Sequence, residues 1–140
     1  MERLMVGRDE ITLHLDSEES GGTMVAAEVT IPAGGGPPAL HRHPSAELYR
    51  VQRGELALYL GDERIPAAEG AVVHIPGGMA HTVRNETDAE AQAFVVFTPG
   101  TEMERFVRAV AASPGDVVAL AGEHGIEMLA PESRTPRGTA

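Results

Sequence analysis

The sequence predicts an all-β domain, an antiparallel sandwich or barrel, closed by one or two short C-terminal helices. Three observations carry this. Between residues 11 and 98 apolar side chains alternate with polar or small ones, as in Leu56-Ala57-Leu58-Tyr59-Leu60, the two-residue period of a strand with one buried face. These runs are short and are broken by Gly21-Gly22, Gly54, Gly61-Asp62, Gly70, Pro76-Gly77-Gly78 and Asn85, turn residues at the spacing of a sandwich or barrel. After Pro99-Gly100 the period lengthens, and Met103, Phe106, Val107 and Val110 recur at helical spacing.

Taken in order, strands are expected over residues 11–15, 23–31, 47–51, 55–60, 71–75, 81–84 and 91–98. The acidic stretch Asp16-Ser17-Glu18-Glu19-Ser20 reads as a solvated turn. Pro76-Gly77 favours a type II turn in which proline fixes φ and Gly77 takes the positive φ. Thr101-Glu102-Met103-Glu104 matches a capping box at the head of the first helix. Ser113-Pro114 would open a second helix as N-cap and first helical residue, with Gly122 or Gly125 ending it. Ile126 to Leu129 adds a last strand or a packed tail. The domain is expected to span residues 1–130, with 131–140 a disordered tail.

Composition narrows the function classes. A chain of 140 residues that is 42% apolar can bury a core of its own, and with 4% aromatics that core rests on Val, Leu, Ile, Ala and Met. The absence of cysteine removes disulfides, thiolate metal sites and cysteine nucleophiles together. A net charge of −10 with no Lys/Arg cluster argues against nucleic acid as a partner. No apolar run has the length of a signal peptide at the start or of a membrane helix elsewhere, so a soluble, cytoplasmic protein is expected.

The chemistry concentrates in Leu40-His41-Arg42-His43-Pro44-Ser45-Ala46-Glu47, just after a soft run of glycines and prolines. In a strand, residues i and i+2 point the same way with Cα atoms roughly 6.5–7 Å apart, so His41 and His43 can aim at one point. Pro44 bends the chain before Glu47; parity alone does not place the carboxylate, although its reach allows convergence. A polar strand edge would present the same residues. The turn at Pro76-Gly77 returns the chain to start a strand at His81, a fourth group able to face the first three.

With those residues in view, the chain resembles the cupin superfamily. From Gly35 it reads five residues, His41, one residue, His43, three residues, Glu47, six residues, Gly54; from Gly70 it reads five residues, Pro76, one residue, Gly78, two residues, His81, three residues, Asn85. Every position of the two signature motifs is filled, with fifteen residues between them. The resemblance covers residues 35–85 and implies a double-stranded β-helix, a conical jelly-roll barrel, with one divalent metal near its mouth. It implies His41, His43, Glu47 and His81 as ligands. Three neutral imidazoles and a carboxylate suit Fe, Mn, Ni, Cu, Co or Zn rather than Ca or Mg. No cofactor beyond the metal is expected.

The resemblance leaves three readings open: a dioxygenase-type oxygenase acting on a small organic substrate, a non-redox isomerase, cyclase or lyase with the metal as Lewis acid, and a small-molecule-binding module without turnover. Glu47 is the catalytic candidate, since a carboxylate ligand that shifts can accept a proton. Tyr49, of the same parity as Glu47, is the first candidate for a pocket aromatic. Phe94 and His74 are further pocket candidates, while His14 and His124 read as structural. A homodimer is expected, paired through an N-terminal strand near residues 12–15.

Overall fold

Strand alternation sorts the side chains of this protein into an inside and an outside. The computed structural model describes residues 1–37, 39–113, 115 and 117–129. In chain order these form β1 (Glu2–Val6), β2 (Asp9–Leu15), α1 (Ser17–Ser20), β3 (Val25–Ile31), β4 (His41–Arg42), β5 (Ala46–Arg53), β6 (Leu56–Leu60), β7 (Glu63–Ala67), β8 (Val72–Ile75), β9 (His81–Arg84), β10 (Ala91–Thr98), α2 (Thr101–Ala112), α3 (Val117–Glu123) and β11 (Glu127–Met128). A six-stranded sheet runs β1-β2-β3-β10-β5-β8 and a five-stranded sheet runs β11-β4-β9-β6-β7. Every pairing is antiparallel. This is the expected jelly roll with short C-terminal helices.

On β10 the inward residues Ala91, Ala93, Val95 and Phe97 are buried, while Gln92, Phe94 and Val96 stand on the other face. They meet Val25, Ala27, Val29 and Ile31 of β3 and Tyr49 and Val51 of β5, and the second sheet contributes Leu56, Leu58 and Val83. Small residues on β3 and β10 let the two sheets approach. Burying one Leu, Ile or Val is worth about 1.5–3 kcal/mol, so a core of this kind holds the barrel without large aromatics. On α2, Met103, Val107 and Val110 face inward as their spacing predicted, and Phe106 packs against the core from its edge.

Several local expectations are corrected. The acidic stretch is the helix α1, not a plain turn: Asp16 caps it, accepting from the Glu19 backbone N–H at 2.8 Å, and Glu19 answers at 3.0 Å. The capping box expected at Thr101 is absent. Gly100 is the N-cap, and Glu104 instead accepts the Ser17 backbone N–H at 2.7 Å, tying α2 to α1. Strands β1 and β7 were not expected; β7 carries Pro66, which is tolerated because β7 is an edge strand. Because β1 pairs with Thr12 and Leu13, and β3 with Thr12, Leu13 and Leu15, β2 is an inner strand and not the open edge expected for pairing with a second subunit. His14 therefore lies within the sheet, where its Nε2 pairs with Glu28 at 2.7 Å. Of the second helix, Pro114 and Asp116 lie outside the described residues, as does the 131–140 tail. α3 ends before Gly125, which adopts a positive φ.

Candidate metal centre

Main-chain contacts join the two motif segments before any side chain meets. The turn forms one residue later than expected: the Met79 N–H donates to Pro76 O at 3.2 Å, so Pro76 is its first residue, and the positive φ falls on Gly78 (+81°) and not on Gly77. Gly77 is there for closeness: a Cβ on it would lie 2.1 Å from the Pro44 carbonyl oxygen. The Gly78 N–H donates to the His43 carbonyl at 2.8 Å. The second motif's turn thus rests directly on the first motif's His43-Pro44. The short strand β4 lies between β9, where His41 faces His81, and β11, where His41 faces Met128. The Leu129 N–H donates to Leu40 O at 2.9 Å, and Arg42 holds Glu127 with two hydrogen bonds.

These frames bring His41, His43 and His81 together, their ligand atoms all within 4.8 Å of one another. Ring centroids lie 4.6 Å apart for His41–His81 and 4.9 Å for His43–His81. Glu47, from β5 of the opposite sheet and only 2% exposed, reaches in between, with Oε2 at 2.7 Å from His43 Nε2 and 2.8 Å from His81 Nε2. The four side chains converge across the gap between the sheets.

Each imidazole is also oriented from behind. The Nδ1 of His41 faces Ala39 O at 3.1 Å, that of His43 faces Ser45 O at 3.0 Å, and that of His81 faces Met79 O at 2.7 Å. A carbonyl oxygen can only accept, so Nδ1 carries the proton in His41 and His81; the His43 Nδ1 also meets the Ser45 hydroxyl at 2.9 Å, and the His81 Nε2 donates to Glu47 at 2.8 Å, so His81 holds a proton on both nitrogens in that contact. No residue type announces the carbonyl partners, because they are main-chain atoms; their regular offset of two residues is their one trace in the chain. Histidine metal ligands are held in this way by their second nitrogen.

A divalent cation fits this arrangement. Imidazole lone pairs and a carboxylate facing one another repel unless a positive charge stands between them. His43 Nε2 is fully buried and, although 2.7 Å from Glu47, lies off the line of a hydrogen bond and has no partner among the described residues. In the metal-free protein, protons partly fill the role. Burial would lower the His81 pKa, but the Glu47 carboxylate raises it above its ordinary value. Burial would likewise raise Glu47, yet the His43 and His81 imidazoles hold it down at about 2. His41, desolvated and beside His81, falls to about 4 and stays a neutral donor at physiological pH. With neither thiolate nor additional carboxylate, this donor set suits first-row transition ions.

The remaining candidates divide by alternation. Tyr49 is buried on the same side of β5 as Glu47, and burial together with that neighbouring carboxylate drives its hydroxyl pKa well above the ordinary value. His74 sits between buried Val73 and Ile75, so it faces outward and is exposed. Phe94 faces outward on β10, its ring 6.3 Å from that of His14. Neither His74 nor Phe94 is brought to the site.

Residues 27–97 match the sequence pattern of the cupin domain family. The chain belongs to that family. An uncharacterized protein of Streptomyces coelicolor is 35% identical over 57 residues, 41% of this cupin and 53% of the relative, so the match spans about half of that protein. Among solved structures, the Thermus thermophilus protein TT1209 superposes with a TM-score of 0.60 at 25% identity, covering 69% of this chain and 90% of its own. The polyketide cyclase RemF from Streptomyces resistomycificus does so with a TM-score of 0.61 at 17% identity, over 70% and 73% of the two chains.

Proposed function

We propose that this cupin is a metal-dependent enzyme acting on a small organic molecule, with His41, His43, Glu47 and His81 as ligands of one divalent transition ion and a dioxygenase-type oxygenase as the leading assignment. The observation that carries the reading is convergence: three imidazoles, each set through Nδ1 against a main-chain carbonyl, bring their ligand atoms within 4.8 Å of one another beside the buried Glu47 carboxylate. A bound ion with open positions supplies electron transfer between an enolate or phenolate and O2 if it is redox-active, or Lewis-acid polarisation if it is not. The protein's own groups do the rest. Glu47 is the proposed proton acceptor. Held at about 2 by its imidazole neighbours it is a weak base in this geometry, so that role requires one oxygen to swing away from them first. Apolar residues of α2 and β11 beside His41 exclude water and strengthen electrostatics at the centre.

A second reading, a non-redox reaction with the ion as Lewis acid, draws on the neighbour named as a polyketide cyclase. Assembly as a homodimer is also proposed. Exposed Leu48 and Val72 on the outer face of the six-stranded sheet, together with its free edges β1 and β8, offer the surface, and light scattering gives the mass. Among the described residues no helix is long and apolar enough to cross a membrane.

Metal analysis of purified protein tests the ligands. His41→Ala and His81→Ala should lose most of the bound ion, whereas His124→Ala, whose ring contacts Glu102 at 3.1 Å away from the centre, should keep it. Equal metal in all three contradicts the assignment. Anaerobic reconstitution with Fe(II), Mn(II) or Ni(II), followed by O2-uptake measurement with enolic and phenolic compounds, separates the chemistries. Cyclisation or isomerisation without O2 uptake selects the second reading, and ligand retention with no product leaves a binding module.

A further inference from the structure

His41 has a second neighbour besides the other imidazoles. A cavity of about 250 Å³ opens beside it, walled by Met103 and Phe106 of α2, Val117 of α3, Ile126 and Met128 at β11, and the Gly34–Gly36 backbone. That is the liquid volume of roughly eight waters, enough for an organic molecule of about a dozen non-hydrogen atoms. Its walls are apolar apart from the neutral His41, and its charged side chains are Arg8 and Asp9, at the turn from β1 to β2.

The charge in that corner is unbalanced. Asp9 faces two guanidiniums, those of Arg84 and Arg8, while its Oδ1 accepts the Gly36 N–H at 3.3 Å. Arg84 is committed, donating to the carbonyls of Gly36 and Gly34. Arg8 has one long contact, to Ala33 O at 3.4 Å, and no carboxylate within ion-pair distance among the described residues. In a chain of net charge −10, this leaves a local positive surplus at the rim of an apolar chamber. A guanidinium with free donors is the side chain best shaped to grip a carboxylate in two places.

We propose that this cavity selects a small organic anion with an apolar, ring-sized body, its acidic group held by Arg8 at the rim and an oxygen donor at its opposite end directed to the His41 side. The second half rests on the metal-centre reading above; the first does not. Phe106 and the two methionines provide flat, adaptable walls for a ring.

Calorimetric titration of para-hydroxycinnamate, its primary amide and cinnamate into the full chain, metal-free and Ni(II)-loaded, tests both ends. The acid should bind at least about tenfold more tightly than the amide in either state. Arg8→Gln, at an exposed turn, should erase that preference while leaving amide affinity and metal content unchanged. The phenolic hydroxyl should matter only with Ni(II) bound, so that cinnamate is weaker than hydroxycinnamate in that state alone. Equal binding of acid and amide, no binding of either, or a preference that survives Arg8→Gln overturns the anion site. An intact acid preference without Ni(II) uptake, or without a hydroxyl effect, upholds the Arg8 end and overturns the metal end together with the reading beneath it.

Discussion

Asp9 is a carboxyl placed where the fold resists its charge. Burial raises its pKa above the ordinary value, outweighing the Gly36 N–H and the two arginines that pull it down. The folded state therefore binds a proton more readily than the unfolded chain, and stability is lost as pH rises from the unfolded value of 3.8 through the raised folded one. At neutral pH the whole penalty is present. Asn keeps an oxygen to accept from Gly36 and carries no charge, so Asp9→Asn should be more stable than wild type at pH 7, with the advantage shrinking as pH falls toward about 4. Urea unfolding of both proteins at the two pH values measures this. A variant equally or less stable at pH 7 would mean that Arg8 and Arg84 outweigh desolvation there. At the same scale, His41 and His43 are legible as a converging pair from their spacing alone. The tautomers are not, since carbonyl partners carry no side-chain signature.

Elements rather than single residues explain how two segments 34 positions apart come to share a centre. The glycine-rich run before His41 is laced to the end of β9: Gly34 N–H donates to Asn85 O at 2.9 Å, Asn85 N–H to Gly35 O at 3.0 Å, and Thr82 Oγ1 to Pro37 O at 2.7 Å. Gly36 is the tightest point, with φ at +99°, and a methyl group added to its Cα would stand only 2.2 Å from Val83 O. Gly36→Ala should therefore cost more than about 3 kcal/mol, combining left-handed strain with overpacking. Gly61→Ala, at φ +58° but facing open space, should cost about 1 kcal/mol. Thermal unfolding of the two variants compares them, and similar losses would show that the close approach is not what fixes this loop. Alternation makes β5, β8 and β10 readable, because one buried face enforces a two-residue period. It fails for β1 and β7, whose edge positions impose no such period, and for Thr101, where the Ser17 N–H competes for Glu104. Phe94 and His74 are misplaced by sequence reasoning because proximity to the motifs along the chain says nothing about face.

At the scale of the whole molecule, the proposed ion would be a cross-link. His41 on β4 and His81 on β9 belong to the five-stranded sheet, whereas Glu47 on β5 belongs to the six-stranded one. Pulling the sheets apart would break ligand bonds from both sides at once, so binding energy at the centre becomes folding energy of the barrel. For a ligand that binds only the folded state, a free concentration a hundred times Kd adds about 2.7 kcal/mol. In a domain of this size that raises Tm by roughly 8–10 °C. Calorimetric scans of chelator-treated protein before and after adding Ni(II) should show that rise. Glu47→Gln should show much less of it, since the amide keeps the shape but removes the anion that joins one sheet to the other. His124→Ala should respond as wild type does. A rise of the same size in Glu47→Gln would mean that the ion is held by the imidazoles of one sheet, and that the sheets are joined by their apolar core alone.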